Sequence, residues 1–454
     1  MIPTLPPRLP RDTESATLFS RTPARPVMDP LPRRRVPARE TRTFRPSPHG
    51  SRLPKGRGAS ASGIFWVHLV WIVPLLVFDF FFFRWLAGVR GGTPQVAQQG
   101  TRPVVVAPQL PGGGDVGEPL PPPPPPSPVW QAMHTPTPQQ DLLHPDAPGV
   151  LQPTGSGRLV SAKFGSTRTR ANGTAGFHEG VDIAATTRDR HGRPADPVFA
   201  VADGRVAMVN STAGNSSYGK YVVIEHPDPS LGVRTGASGT VVTSVVYTLY
   251  AHLADVKFGV RAGAQVRAGE EIGTMGTTSN TRPPIPNDRG HLHWEVGLVL
   301  NSRFDRMMRE QKTTNLFGSY NGLNLFAIDP LAFYAAHAAD PELTFGAYLD
   351  AQPAAAELIL RGKKPDFFER YPGLWKGAPY DGGPMCVAIA ESGMPLRGRN
   401  ATAAEAAKLG NARRAVWKAD ATVLGRNARA YVSSRTGSWK VTDKGLAWAD
   451  HFFY

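Results

Sequence analysis

Apolar and polar residues alternate in short runs over the second half of the chain, a pattern that predicts β-strands. Gly, Asp and Asn separate these runs, and helical periodicity is weak before about residue 330. We therefore predict a mainly β protein whose residues 156–338 form an antiparallel β-sheet domain. The clearest strand signals lie at Val198–Val209, Lys220–Glu225, Thr240–Leu253 and His291–Val299.

A run of twenty predominantly apolar residues, Ile64 to Phe83, lies in the first quarter of the chain. At 1.5 Å per residue, about twenty helical residues cross the ~30 Å hydrocarbon core of a membrane. We predict one transmembrane helix over residues 63–88. A buried soluble helix is the alternative, and a cleaved signal peptide fits poorly because a long segment precedes the run.

Residues 1–62 contain many prolines and carry thirteen Lys or Arg against four acidic residues. Such a segment cannot bury enough apolar surface to offset its conformational entropy, so we predict a disordered basic arm. We favour a cytoplasmic tail over a nucleic-acid-binding tail, because the predicted membrane helix follows directly. Basic residues before that helix place the amino terminus in the cytoplasm and the remainder outside it.

Residues 89–155 are rich in Gly, Gln and Pro, with six consecutive prolines at 121–126. We predict an extended linker, since polyproline acts as a semi-rigid spacer, with an SH3-type ligand as the alternative.

The whole chain of 454 residues has a net charge of +15, which favours anionic partners such as nucleic acid, acidic lipid or an acidic cell-wall polymer. Its single cysteine excludes an intrachain disulfide and a four-cysteine zinc site.

The first segment of chemical interest contains His178 and Asp182. Nearby glycines argue against a helix, and in an extended chain residues four positions apart project to the same face. Glu179 then projects to the other face. We interpret Glu179 as structural rather than as a general base.

Two further segments alternate in the same way. The first places Tyr250 and His252 on one face, and the second places His291, His293 and Glu295 on one face. A single His on a strand is more often a surface or hydrogen-bonded residue than a ligand. An H-x-H pair together with a nearby H-x-x-x-D is stronger, because two imidazoles and a carboxylate with an open fourth position are what catalytic zinc requires.

These segments resemble, in order, the lysostaphin-type (LytM-type) zinc metallopeptidases, which cut peptidoglycan peptides. The hallmarks H-x-x-x-D, Y-x-H-L and H-x-H followed by an aromatic residue, Glu and Val are all present. Three intervening segments also resemble the family, and the resemblance covers roughly residues 160–330. Its supporting segments are 198–206, 218–226 and 266–273.

The resemblance implies that His178, Asp182 and His293 bind one zinc ion, while His252 and His291 are catalytic histidines beside it. It does not distinguish the roles of these two histidines.

Three loops are longer than is usual in the family, and we expect them to rim the substrate groove. They are Thr186–Pro197, Pro227–Thr243 and Thr277–Gly290.

Residues 339–454 are less informative, and we predict a small, mostly helical accessory region. Thr402 and Glu405 form a capping-box pattern that would open a helix running to about Lys418. No site is predicted there.

We expect a zinc-dependent endopeptidase that hydrolyses peptide stems or cross-bridges of peptidoglycan. It would be anchored in the cytoplasmic membrane by a single pass, with its catalytic domain outside the cytoplasm. The expected partners are peptidoglycan and membrane lipid, without nucleic acid. The alternative is a non-catalytic, membrane-anchored protein that binds the cell wall or activates another hydrolase. Retention of both His252 and His291 favours the enzyme, because a binding module needs neither.

Overall fold

The computed structural model describes residues 130, 133–169, 175–235, 239–425 and 429–454. The predicted basic arm, the predicted membrane helix and most of the predicted linker lie outside these ranges. Within the ranges, no helix has both the length and the apolar character needed to cross a membrane.

The described residues form nineteen strands and several short helices. The strands are β1 (Thr167–Thr169), β2 (Ala175–Phe177), β3 (Val181–Ala184), β4 (Pro197–Phe199), β5 (Gly204–Asn210), β6 (Lys220–Pro227), β7 (Val233–Thr235), β8 (Val241–Thr243), β9 (Val245–Val256), β10 (Gln265–Val266), β11 (Glu271–Met275), β12 (His291–Val299), β13 (Leu325–Ile328), β14 (Ala356–Leu360), β15 (Met385–Ile389), β16 (Pro395–Asn400), β17 (Arg414–Ala419), β18 (Val432–Arg435) and β19 (Ser438–Val441). The α-helices are Phe304–Glu310, Pro330–Ala339, Phe345–Ala351, Asp366–Arg370, Ala403–Leu409, Ala421–Leu424 and Asp443–Phe453.

A nine-stranded antiparallel sheet organises the first part of this region, which confirms the prediction of a mainly β domain. One path runs β10-β5-β6-β9-β11-β4, and β9 also pairs with β12. Strand β12 continues the sheet to β3 and β13. Because β9 and β12 are long and central, residues projecting from them meet in the middle of the sheet.

Strand β12 is buried along its whole length. Leu292, Trp294 and Val296 belong to the main hydrophobic core, as the alternation predicted. His293 and Glu295 project to the other face, where they are 5% and 0% exposed. Both faces of β12 are covered by other parts of the protein. The alternation of its side chains therefore places apolar residues in the core on one face and polar residues in a buried site on the other.

The described part of the predicted linker packs on the β domain. Trp130 is 1% exposed, and its indole Nε1 donates a hydrogen bond to Asp228 Oδ2 at 3.0 Å. Its ring lies 5.3 Å from that of Phe333 in an edge-on arrangement. Leu142, Val150 and Leu151 of the same segment are buried in the main core as well. These anchors are scattered through a Pro-rich segment that has no apolar periodicity to signal them.

The carboxy-terminal region contains a four-stranded antiparallel sheet, ordered β16-β15-β14-β17, besides its helices. Our prediction of helices there is confirmed, but a mostly helical region is wrong. The capping box of Thr402 and Glu405 is present. The helix that it opens ends at Leu409, well before Lys418, because Gly410 adopts a φ of 54°.

This region packs directly against the nine-stranded sheet. The backbone N–H of Phe345 donates to Asp228 Oδ2 at 3.3 Å, and the Arg370 guanidinium donates to the carbonyl of Val299 at 3.1 Å. The loop Pro227–Thr243 lies against it as well, since a Cβ at Gly232 would be 2.5 Å from Pro372 Cγ. This loop therefore supports the carboxy-terminal region.

Candidate metal centre

Strand pairing brings two of the predicted ligands together. Asp182 in β3 lies directly opposite His293 in β12, so their side chains share a face. His178 comes from the turn before β3 and reaches the same point. Glycine is needed in this turn, because a Cβ at Gly180 would lie 2.4 Å from the carbonyl oxygen of Trp294.

The three side chains converge on one point. His178 Nε2 lies 3.1 Å from Asp182 Oδ1 and 3.0 Å from His293 Nδ1. His293 Nδ1 lies 3.1 Å from the same Asp182 oxygen. Atoms that bind one zinc ion tetrahedrally at ~2.0–2.1 Å are separated by roughly 3.3 Å, close to this triangle.

Each imidazole has its other nitrogen held by an acceptor that lies away from this point. His178 Nδ1–H donates to the carbonyl of Lys163 at 2.9 Å, which leaves Nε2 as a lone pair. His293 Nε2–H donates to Glu295 Oε1 at 2.9 Å, so that Nδ1 is the nitrogen directed at Asp182 and available to a cation. Two imidazole nitrogens and one carboxylate oxygen thus face one another, and that donor set fits a divalent cation such as zinc.

Burial and neighbouring charges set the ionisation of two of these donors. Burial lowers the pKa of His178 to about 4, so the imidazole is neutral at pH 7. Burial opposes ionisation of Asp182, but the Arg168 guanidinium and the nearby histidines outweigh it and hold its pKa well below the usual range. A neutral imidazole and an ionised carboxylate are the forms that bind zinc.

The pKa of His293 is shifted in the opposite direction. Burial alone lowers its pKa, but hydrogen bonds with Asp182 and Glu295 outweigh burial and raise it to about 9. The two carboxylates therefore attract positive charge to the space between them. A bound cation would replace the proton there.

His252 reaches the site through a local break in the strand. Ala251 lies opposite His293 in the β9–β12 ladder, so regular alternation would send His252 to the other face with Tyr250. The register of β6 against β9 shifts beside His252, which has a φ of 62°, and this β-bulge turns its ring back into the site. The rings of His252 and His291 are 4.9 Å apart. The prediction that Tyr250 and His252 share a face is therefore wrong, and Tyr250 is buried in the main core.

His252 and His291 each have one nitrogen fixed by a backbone carbonyl. The Nδ1–H of His252 donates to Thr278 at 2.8 Å, and that of His291 donates to Arg289 at 2.7 Å. Their Nε2 atoms are therefore acceptors, and that of His291 lies 3.5 Å from Asp182 Oδ1. Burial lowers the pKa of both imidazoles, so both are neutral at pH 7 and can accept a proton.

A groove of about 450 Å³ leads to all five side chains. Of the three long loops, only Thr277–Gly290 contributes to its described lining, through Ser279, Thr281, Ile285 and Arg289. The expectation that Thr186–Pro197 and Pro227–Thr243 also rim the groove is wrong for the described residues.

Comparison with known families decides what kind of domain this is. Residues 176–303 match the family model described as peptidase family M23. This segment, called the M23 domain after that match, covers less than half of the chain. All five predicted site residues lie within it.

Solved structures similar to the chain include two peptidases. A zinc-containing peptidase from Vibrio cholerae is 26% identical, with 33% of this chain and 36% of that chain covered and a TM-score of 0.21. The catalytic domain of the antimicrobial peptidase lysostaphin from Staphylococcus simulans is 21% identical, with 38% of this chain and 87% of that chain covered and a TM-score of 0.21. The chain thus spans about a third of the first of these proteins. No curated protein matches the chain.

Two residues beside the predicted ligands have roles that sequence reasoning missed. Arg168 donates to Asp182 Oδ2, and it is held by the carbonyl of Ser161 at 2.6 and 3.0 Å. Arg168 lies fourteen residues before Asp182, and no sequence pattern indicated that the two side chains meet. Glu295 binds His293, and its spacing of two residues on the same strand face could have identified this contact.

Replacing Glu295 by glutamine should weaken zinc binding about 10–100-fold, as is typical when the partner of a metal-binding histidine is changed. Glu295 is 0% exposed and also accepts hydrogen bonds from Tyr218 at 2.6 Å and Tyr247 at 2.9 Å. Competition with a chromophoric chelator measures the affinity. Glu271→Gln, at a half-buried position paired with Lys257, is the control. An unchanged affinity would show that Glu295 does not orient His293.

Glu179, which the sequence analysis interprets as structural, forms an ion pair with the carboxy-terminal region. Its Oε1 pairs with the Arg429 guanidinium at 2.9 Å, and the two side chains are 21% and 19% exposed. The guanidinium also lies 4.9 Å from the centre of the Phe177 ring. Burial raises the pKa of Glu179 even though Arg429 is adjacent. The ion pair thus connects the carboxy-terminal region to the residue that follows His178.

Arg429→Met should lower the free energy of unfolding by about 2–3 kcal/mol, because it leaves the Glu179 carboxylate without its partner in a largely buried site. The double variant Arg429→Met/Glu179→Gln should lose less than the sum of the single changes. Urea unfolding of the chelated protein measures these values, and exposed Arg435→Met is the matched control. Strict additivity would contradict the coupling.

Proposed function

We propose that this protein is a zinc-dependent endopeptidase that hydrolyses peptide stems or cross-bridges of peptidoglycan. The observation that carries the proposal is the convergence of two imidazole nitrogens and one carboxylate oxygen beside two further neutral imidazoles at the base of an open groove. The M23 family match over residues 176–303 supports peptidase chemistry.

His178 Nε2, Asp182 Oδ1 and His293 Nδ1 would hold the zinc ion. When bound, zinc supplies a Lewis acid that polarises the scissile carbonyl and lowers the pKa of water to about 7. Arg168 occupies the other oxygen of Asp182, which favours binding through Oδ1 alone. Glu295 keeps the His293 ring in the orientation that presents Nδ1.

His252 and His291 would manage the proton. Either imidazole can accept a proton at Nε2 from the attacking water, because Nδ1–H is engaged with a backbone carbonyl. Protonation converts that Nε2 into a donor, which can then stabilise the developing oxyanion or protonate the leaving amine. The two carbonyl contacts hold the rings in place throughout, so little reorganisation is needed during the reaction.

The alternative is a non-catalytic protein that uses the same pocket to bind the cell wall or activate another hydrolase. The two assignments differ in whether new peptide ends appear. We expect the zinc-loaded full chain to release amino ends from purified peptidoglycan, and expect none after chelation or with His293→Ala. Wall binding without release of ends would support the non-catalytic alternative instead.

We also propose anchoring in the cytoplasmic membrane through residues 63–88, with the amino terminus inside and the M23 domain outside. The apolar run and the basic residues before it support this proposal. Deletion of residues 63–88 should move the protein from the membrane fraction to the soluble fraction. In intact spheroplasts, added protease should digest the M23 domain and spare an epitope placed at the amino terminus.

A further inference from the structure

A second cleft lies between the Phe304–Glu310 helix and the Asp443–Phe453 helix, with a volume of about 680 Å³. Met307 and Met308 line it from the first helix, and Trp448 lines it from the second. Both helices lie outside the residues that match the M23 family. The cleft is therefore a feature of this chain's own architecture, with one wall supplied by the carboxy-terminal region.

The second cleft adjoins the groove of the metal centre. Glu179, Gly322 and Leu323 line both, and Leu323 is 65% exposed. The backbone at Gly322 can pack closely against Tyr218 because it carries no side chain: a Cβ at Gly322 would be 2.8 Å from Cε2 of Tyr218. Tyr218 in turn donates to Glu295. The exposed side chain of Leu323 therefore lies at the boundary of the two cavities.

Charged side chains of both signs surround the apolar lining of this cleft. Glu310 and Asp450 are acidic, while Lys444 and Arg429 are basic. Arg429 Nε is buried and has no hydrogen-bond partner within the described ranges.

We propose that the second cleft binds the part of the substrate peptide that lies to one side of the scissile bond. The inference rests on the proposed function and specifies its substrate as a branched or cross-linked peptide that reaches both clefts. An apolar floor with charges of both signs at its edge fits a peptide carrying free amino and carboxyl groups. The carboxy-terminal region then contributes a substrate subsite to the M23 domain.

Two neighbouring positions on the last helix provide a matched test. Ala447 is exposed and lines the cleft, so Ala447→Trp would fill it. Leu446 is 42% exposed and does not line the cleft, so Leu446→Trp places the same ring elsewhere on the same helix. Both changes are made in the zinc-loaded full chain carrying His291→Ala, so that the substrate is not consumed. The probes are a purified cross-linked muropeptide dimer and the uncross-linked monomer.

We expect Ala447→Trp to raise the Kd for the dimer about tenfold, a loss of ~1.4 kcal/mol, and to affect the monomer less. Leu446→Trp should leave the Kd within about twofold, since it blocks no part of the cleft. An unchanged Kd for Ala447→Trp would overturn the inference, as would an equal loss in both variants. A change in molecular mass by light scattering without a change in Kd would also overturn it, by assigning the cleft to a second copy of the chain.

The proposed function can fail separately from this inference. If the parent chain with His291 intact releases no peptide ends while Ala447→Trp still weakens dimer binding, the peptide subsite stands and the endopeptidase assignment falls. If the parent chain hydrolyses the dimer with a KM that Ala447→Trp leaves unchanged, the subsite falls and the endopeptidase assignment stands.

Discussion

Replacing His178 by alanine is expected to lower peptide hydrolysis about a thousandfold, because zinc supplies several kcal/mol of transition-state stabilisation and each 1.4 kcal/mol is a factor of ten. The variant removes one corner of the triangle that His178, Asp182 and His293 form at 3.0–3.1 Å. Zinc content after dialysis should fall together with activity. Release of new amino ends from purified peptidoglycan measures the activity, and elemental analysis measures the metal.

His191→Ala is the control for this variant, since His191 is exposed and lies outside the described lining of the groove. It should retain both zinc and activity. A His178→Ala protein that remained folded, lost its zinc and still released peptide ends would contradict a metal-dependent reaction at this site.

Alanine at His252, and separately at His291, should lower kcat about 10²–10⁴-fold, the range typical of general acid–base catalysis. Zinc content should stay at one ion per chain, because neither residue belongs to the triangle of donors. The expected result is therefore the opposite of that for His178→Ala: metal retained, turnover lost. Steady-state kinetics and elemental analysis of the same preparations check both parts.

Loss of zinc in either of these variants would show that the residue is a ligand and not a proton carrier. Retention of full turnover in one variant would leave the other as the sole acid–base group. If both variants kept full turnover, neither imidazole would transfer a proton in the reaction.

Several features of the site follow from short-range patterns in the sequence. The alternation in His291–Val299 predicted which residues of β12 face the core, and the structure has them there. The H-x-x-x-D spacing predicted that His178 and Asp182 meet, and their donor atoms are 3.1 Å apart. The prediction for β12 works because strand periodicity depends on residues that are close in sequence, whereas His178 reaches Asp182 from the turn before β3.

Other features depend on contacts between distant residues, which no local pattern reveals. The β-bulge at His252 arises from a register shift against β6, and only its φ of 62° brings the ring to the site. The apolar runs that form β14 and β15 are too short to distinguish a buried strand from a buried helix by periodicity. Trp130 is anchored by Asp228, ninety-eight positions away.

The central claim is that one zinc ion, held by His178, Asp182 and His293, makes this chain a peptidase. Its most direct test is the release of amino ends from purified peptidoglycan while zinc is returned stepwise to the chelated full chain. We predict that release rises in proportion to added zinc and levels off at one ion per chain, with no response from His178→Ala. Release that does not depend on zinc, or that responds equally in His178→Ala, would contradict the claim.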